Sequence, residues 1–254
     1  MIFDDLRDEM ASLDGLVAWP EPANPAVARA LALGTAARGW TIGDTLSHLA
    51  GTDQAAVMAI HDPEHFLARA RENPPPAPGE LPAVWPAARE ELLAGVQRAH
   101  ATRARLPWFS LPMGAMSFAT ARLMEYWAHG EDIADALGRS RPPTGRLRHV
   151  CHIGVQTLGF SFVQHGLSPP AEPVRVELDA PGGGVWAWGP PEARNRVSGP
   201  AAHFALIVTQ RRLAADSALE ARGDIAAQWP PIAQCFAGRG QTTDPDRAGL
   251  SMPG

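Results

Sequence analysis

The sequence predicts a mainly α-helical protein in which an up-down four-helix bundle precedes a small α+β domain. Apolar residues recur at helical spacing through most of the first 166 positions, and short connections join the helices that this spacing predicts. After residue 166 the pattern changes to an alternation of apolar and polar residues, which is typical of half-exposed strands. We therefore expect a helical domain over residues 1–166 and an α+β domain over residues 167–254.

Each predicted helix of the first domain is bounded by residues that cap or break helices. Thr41 is expected to cap the second helix at its start, and Gly138 to end the fifth. Prolines at positions 20, 22 and 25 interrupt the chain after the first helix, and three more at 74–76 predict a loop. Prolines on either side of Trp108 predict an irregular turn. The predicted helices span residues 5–19, 41–60, 65–71, 86–105, 117–137 and 147–164.

The second domain is predicted to contain a β-hairpin and two helices. Residues 174–178 and 185–188 predict two strands, and the glycine-rich run at 181–184 predicts the turn between them. Residues 201–212 predict an apolar helix, and residues 225–236 predict a final helix interrupted by prolines at 230 and 231. The remaining polar residues predict a loose tail.

Composition excludes several classes of protein. The net charge is -5 and no basic cluster is present, which argues against nucleic acid and anionic membrane surfaces as partners. No apolar run approaches the roughly 20 residues that cross a bilayer, and the acidic start of the chain is unlike a signal peptide. Cys151 and Cys235 are far apart in sequence and predict reduced thiols. We expect a cytoplasmic protein, monomeric or homodimeric, that acts on a small molecule.

Three residues form a candidate metal site. Glu125 and His129 are spaced i, i+4, which places a carboxylate and an imidazole on one face of a helix. His48 lies on another predicted helix and can supply a third ligand. Because three protein ligands leave a coordination position open for water or substrate, such a site is expected to be catalytic rather than structural.

Two interpretations of these residues remain open from spacing alone. An amphipathic helix can carry a glutamate and a histidine four positions apart with no metal present, and His48 can be a hydrogen-bonded core residue. The flanking residues favour the metal, because Met124, Trp127 and Ile133 make this helix strongly apolar. A carboxylate on a buried face is costly unless it is paired or bound to a cation.

The segments around these ligands resemble the DinB-like superfamily. The residues that carry the resemblance are Gly39-Trp40-Thr41 to His48-Leu49-Ala50, the turn at 107–109, and the run from Arg122 to Gly138. Within the superfamily they are most similar to the metal-binding proteins related to mycothiol-dependent maleylpyruvate isomerase. The resemblance covers about residues 5–165, and the C-terminal part resembles the second domain of the same group.

The resemblance implies a four-helix bundle that holds a divalent metal at one end, usually zinc, with nickel, iron or manganese as alternatives. His48 matches the first histidine of the family, Glu125 its carboxylate and His129 its second histidine. Mycothiol binds with its sulfur at or near the metal in the family members that use it. All 22 basic residues of this chain are arginine, a bias that fits a GC-rich genome and an actinobacterial host, the group that makes mycothiol.

Three further residues are candidates for a functional role beside the metal ligands. Asp44 lies i-4 from His48 and Asp132 lies i+3 from His129, so either carboxylate could orient an imidazole or a substrate; the alternative is a solvated surface residue. Arg211 ends a predicted helix of the second domain, and an arginine of that domain assists catalysis in the related isomerases. The alternative for Arg211 is a favourable interaction with the helix dipole.

The second domain and its boundary supply weaker candidates. His149 and His152 could line a pocket or be ordinary core or surface residues. Trp186 and Trp188 alternate on a strand, so they share one face and could wall a cleft or belong to the core.

The sequence therefore predicts a metal-dependent enzyme of the mycothiol-dependent isomerase or thiol S-transferase type, acting on a small unsaturated or electrophilic metabolite. A thiol-independent hydrolase or lyase-like enzyme on the same scaffold is the first alternative. A metal-carrying protein that binds a small ligand without catalysis is the second.

Overall fold

The computed structural model describes residues 1–17, 24–109, 111–238 and 252. The chain forms two compact units, Met1–Arg139 and Ser140–Gly254. Two expectations lie outside the described residues: the prolines at 20 and 22 after the first helix, and most of the C-terminal tail.

The first unit is the predicted four-helix bundle. Helix α1 packs against α6, α3 packs along α5, and both α3 and α5 pack against α6. Two short helices, α2 and α4, lie in the connections. The helices of this unit are α1 (Ile2–Asp14), α2 (Pro25–Leu31), α3 (Ile42–His61), α4 (Phe66–Glu72), α5 (Leu81–Ala101) and α6 (Ala115–Ala136).

Local capping decides where these helices begin and end. Thr41 caps α3 as predicted, because its side chain accepts a hydrogen bond from the backbone N–H of Asp44. Helix α1 ends at Asp14, five residues before the predicted position. Helix α5 begins at Leu81 rather than at residue 86: Pro82 lies in its first turn, where a proline gives up no hydrogen bond, and Pro86 lies inside the helix. The unpredicted α2 starts with proline after Asn24, whose side chain caps it.

The predicted turn around Trp108 is the loop of a small hairpin between β1 (Arg105–Leu106) and β2 (Met113–Gly114). The Trp108 ring stacks on Phe66 at a centroid distance of 5.6 Å and meets Phe118 edge-on at 5.0 Å. These aromatic contacts join the hairpin loop to α4 and to the start of α6.

A buried carboxylate links three helices of the bundle. Asp53 on α3 has no exposed surface. Its carboxylate accepts hydrogen bonds from Trp85 Nε1 on α5 at 2.8 Å, from Arg122 Nη2 on α6 at 2.8 Å, and from the hydroxyl of Tyr126. Burial, together with the Asp53 charge, raises the pKa of Tyr126 well above its usual value, so the phenol stays protonated and can donate.

Arg89 on α5 connects these residues to α1, the fourth long helix of the bundle. Its guanidinium lies 3.7 Å from the centroid of the Trp85 ring and donates from Nε to the Tyr126 hydroxyl at 3.0 Å. Its Nη1 donates to both carboxylate oxygens of Asp14 on α1, at 2.7 and 2.9 Å. We call Asp14, Asp53, Trp85, Arg89, Arg122 and Tyr126 the Asp53 network; it spans all four long helices.

The second unit is an α+β structure with a four-stranded sheet of order β4-β3-β5-β6. Strands β3 and β4 form the predicted antiparallel hairpin, β3 and β5 are parallel, and β6 pairs with β5 in antiparallel fashion. The sequence did not predict β5 and β6. The elements are α7 (Leu147–Gln156), α8 (Leu158–Gln164), β3 (Val174–Asp179), β4 (Val185–Trp188), β5 (Asn195–Pro200), α9 (Ala201–Val208), β6 (Glu220–Arg222) and α10 (Asp224–Ile232).

The helix predicted over residues 147–164 differs from the structure in two ways. It is broken at Thr157, whose hydroxyl donates to the carbonyls of Ile153 and Gly154 at 2.9 and 3.1 Å. Its first part, α7, packs against α9, and a Cβ on Gly154 would lie 2.7 Å from Val208 Cγ2. Because of this close packing, α7 belongs to the second unit, whereas the sequence placed it in the first domain.

Two expectations from composition can be compared with the structure. Cys151 and Cys235 are both buried and are not joined by a disulfide in the described part of the chain, as expected of reduced thiols, and burial raises the pKa of the Cys151 thiol. In the described parts of the chain, no helix combines the length and apolarity that crossing a bilayer requires.

Replacing Asp53 with alanine should destabilise the bundle, because it leaves Arg122 as a buried cation without its ion-pair partner. We expect the free energy of unfolding to fall by about 3–5 kcal/mol, measured by urea unfolding followed by helical circular dichroism. Arg69→Ala, which removes an exposed ion pair with Asp62, should change it little. Equal effects of the two variants would contradict a central role for the network.

Candidate metal centre

The three predicted ligands meet between α3 and α6. His48 Nε2 lies 3.6 Å from Glu125 Oε2, and His129 Nε2 lies 3.4 Å from the same oxygen. One ligand atom from each side chain lies within 4.8 Å of the other two. The i, i+4 spacing on α6 brings Glu125 and His129 together, and the packing of α3 against α6 brings His48 to them.

The distances within this cluster fit a divalent metal. They exceed the usual hydrogen-bond range of about 2.7–3.2 Å, so any direct hydrogen bond between these side chains is a long one. In a tetrahedral zinc site with bonds of roughly 2.0–2.1 Å, two ligand atoms lie about 3.3 Å apart, close to the observed 3.4 and 3.6 Å. The side chains of His48 and Glu125 are 32% and 27% exposed, so the cluster is open to a further ligand.

The electrostatics of the cluster also suit a cation. Burial lowers the pKa of His48 by more than the interaction with Glu125 raises it, and the charge of Arg122 lowers it further, which favours the neutral imidazole that binds metals. Burial alone would raise the pKa of Glu125. Its interactions with His129 and His48 and the charge of Arg122 outweigh burial, so the pKa lies well below its usual value and the carboxylate is ionised.

Trp40 covers one side of the two imidazoles. Its ring stacks on His129 at a centroid distance of 5.9 Å and lies tilted against His48 at 5.0 Å. A tight turn holds the backbone of Trp40 in place. The Trp40 carbonyl accepts a hydrogen bond from the Thr35 N–H at 2.8 Å, and the Trp40 N–H donates to the Ala37 carbonyl at 2.9 Å. No function was predicted for Trp40 beyond its place in a segment that resembles the family, because ring contacts between separate segments leave no local pattern in the sequence.

Asp132 lies behind His129. It has no exposed surface, and its Oδ2 is 3.1 Å from His129 Nδ1, the ring nitrogen that faces away from Glu125. The i+3 spacing that made Asp132 a candidate therefore corresponds to a contact between the two side chains.

Asp44 occupies a different position from the one expected of a residue that orients His48. Its Oδ2 accepts hydrogen bonds from the Thr41 backbone at 2.9 Å and from the Thr41 hydroxyl at 2.7 Å. Together with the reciprocal bond from Asp44 N–H, this forms a capping box at the exposed start of α3. The Thr41 hydrogen bonds lower the pKa of Asp44. A catalytic role for Asp44 stays a prediction.

The candidates of the second unit have their own local surroundings. Arg211 is buried just after the end of α9, and its Nη1 donates to the Thr209 carbonyl at 2.6 Å; its catalytic role stays a prediction. The partly buried Trp186 and Trp188 alternate with exposed residues along β4, as expected. Trp188 Nε1 donates to His152 Nδ1 at 3.3 Å, which ties the sheet to α7.

The first unit is thus the four-helix bundle that the sequence predicted, and it contains the cluster of two histidines and one glutamate. Residues 6–134 match the family described as the mycothiol maleylpyruvate isomerase N-terminal domain. Two uncharacterized proteins of Mycobacterium tuberculosis, from strains CDC 1551 / Oshkosh and H37Rv, are each 42% identical to this chain, with 92% of this chain and 94% of the relative covered. The chain belongs to the mycothiol maleylpyruvate isomerase family, as its motifs predicted.

Two crystal structures are similar to this chain over both units. One is mycothiol-dependent maleylpyruvate isomerase, at 16% identity, and the other is a point mutant of that enzyme, at 15% identity. Each has a TM-score of 0.51 and covers 82% of this chain and 88% of the crystallised one. At this level of identity the similarity establishes the fold.

The capping box should matter for stability and leave metal binding unchanged. Thr41→Ala should lower the free energy of unfolding by about 1 kcal/mol, and Asp44→Ala should lower it in the same direction. Urea unfolding and a zinc titration of both variants measure the two effects. A tenfold loss of zinc affinity in Asp44→Ala alone would instead give Asp44 a role at the candidate site.

Proposed function

We propose that this chain is a metal-dependent enzyme of the mycothiol-dependent isomerase or thiol S-transferase type, acting on a small unsaturated or electrophilic metabolite. The observation that carries the proposal is the open cluster of His48, Glu125 and His129, whose ligand atoms converge and in which the side chains of His48 and Glu125 are partly exposed. Membership of the mycothiol maleylpyruvate isomerase family supports the choice of thiol and of reaction class.

Each residue of the cluster has a defined role in this proposal. The neutral imidazoles of His48 and His129 offer Nε2 lone pairs, and Glu125 supplies a negative charge that partly neutralises a dication. Two nitrogens and one carboxylate oxygen suit zinc best, with nickel, iron and manganese as alternatives. A bound divalent ion would supply the positive charge that lowers the pKa of a thiol near it.

The surroundings of the cluster favour a small ligand that enters from one side. Trp40 packs against both imidazole rings and keeps water from that side of them. The exposed parts of His48 and Glu125 lie where a ligand can reach the cluster. A low-molecular-weight thiol and an electrophilic substrate would meet there, and the three coordinating side chains leave at least one position free for them.

The purified protein should bind one zinc ion per chain at this cluster. His48→Ala and Glu125→Gln should each weaken binding at least tenfold, because each removes one of three ligands. Competition with a chromophoric chelator measures the affinity. His61→Ala changes an exposed histidine whose partner is Glu91, so it should bind zinc like the wild type. Wild-type affinity in His48→Ala would refute the proposed site.

Mycothiol should raise the melting temperature of the zinc-loaded protein, because a ligand that binds only the native state stabilises it. At 100 times its dissociation constant the stabilisation is about 2.7 kcal/mol. The shift should be absent from His48→Ala. Conversion of maleylpyruvate with mycothiol, followed by ultraviolet absorbance, tests the isomerase reaction directly. Zinc binding with no response to mycothiol would contradict a thiol-dependent activity and favour a hydrolase or lyase-like enzyme.

A further inference from the structure

The two histidines of the cluster differ in what supports their rings. His129 has both nitrogens engaged: Nε2 lies 3.4 Å from Glu125, and Nδ1 lies 3.1 Å from Asp132. His48 approaches Glu125 through Nε2 as well. Among the residues that the structure describes, no hydrogen bond or ion pair reaches Nδ1 of His48, and its ring is held by packing against Trp40 and His129.

A carboxylate behind an imidazole selects its tautomer. An ionised carboxylate only accepts hydrogen bonds, and a neutral imidazole carries its single proton on one of the two nitrogens. Asp132 therefore favours the proton on Nδ1 of His129. This leaves the lone pair on Nε2, the nitrogen that points towards Glu125 and the centre of the cluster.

The surroundings of Asp132 strengthen this effect. Asp132 has no exposed surface, and the His129 side chain is only 10% exposed, so bulk water competes little for their contact. Both residues lie on α6, one turn apart, so the helix fixes the distance between them before any ligand arrives.

We propose that Asp132 is a positioning residue of the metal centre, and that it makes His129 the anchoring ligand and His48 the more easily exchanged one. Asp132 holds the His129 ring in one orientation and one tautomer, and it increases the basicity of Nε2. His48 lacks such a partner and must select its tautomer when the ion binds. This inference rests on the metal centre proposed above, but its first consequence concerns the metal-free protein.

The first measurement is the tautomer of each histidine in metal-free protein, read from long-range ¹H–¹⁵N correlations of the imidazole rings. In the wild type, at a pH high enough for both imidazoles to be neutral, we expect His129 to be the Nδ1–H tautomer and His48 to be a mixture. A His129 ring with its proton on Nε2 would overturn the proposal, and this result needs no variant and no metal.

The second measurement is the zinc affinity of Asp132→Asn, by chelator competition. An amide has almost the same shape but no charge, so we expect the variant to fold and to bind zinc 10–100-fold more weakly, the usual effect of losing such a partner. The His129 ring should then become a mixture of tautomers. Asp135→Asn, the same change three residues further along α6, should keep wild-type affinity.

The outcomes separate the proposals. Wild-type zinc affinity in Asp132→Asn, or an equal loss in Asp135→Asn, would overturn the role of Asp132. A lower melting temperature of metal-free Asp132→Asn with unchanged zinc affinity would show a purely structural role and overturn it as well. If the wild-type protein binds no zinc, the proposed metal centre fails, while the tautomer of His129 still reports whether Asp132 controls that ring.

Discussion

The buried carboxylate of Asp53 is the constraint on which the helical unit depends. A single charged group without exposed surface would be costly, and this one is compensated by donors from α5 and α6. Hydrogen bonds are directional, so the carboxylate accepts its partners only at one rotation and one height of each helix. Apolar packing alone, around residues such as Leu46 and Leu123, would tolerate small rotations that this network does not.

The candidate site is linked to this network through Arg122. Its guanidinium pairs with Asp53, and its charge also lowers the pKa of both Glu125 and His48. Arg122 and Glu125 lie one turn apart on α6, and Asp53 lies on the same helix as His48. The residue that pairs with Asp53 between α3 and α6 therefore also contributes to the protonation states of two candidate ligands, in the direction that metal binding requires.

This chain has the same fold as the crystallised mycothiol-dependent maleylpyruvate isomerase, although the two proteins are only 16% identical in sequence. A fold can persist while its function changes, so the site has to support the function. Here the candidate site consists of side chains from α3 and α6, with Trp40 packed on one side of the imidazoles and Asp132 in contact with His129.

The sequence by itself determined several features that depend on neighbours along the chain. The cap at Thr41, the pairing of Glu125 with His129, the β3–β4 hairpin and the mainly helical fold all follow from residues within one or two turns of each other. Nothing local links His48 to α6; it was proposed as the third ligand because it lies on another predicted helix, and the resemblance to the family supported that choice. The family itself was evident from the same motifs.

Only the tertiary structure decided the contacts between distant segments. Asp53 and Arg122 are 69 positions apart, and no periodicity shows that their side chains meet. Helix α7 belongs to the second unit because Gly154 lets it pack closely against Val208 of α9, a contact between segments that are distant in the sequence. Strand β6 is short and fully exposed, so it lacks the alternation that reveals a strand in sequence. Local sequence patterns indicate which face of a helix or strand is buried. Packing and hydrogen-bond geometry in the folded protein determine which other segment that face contacts.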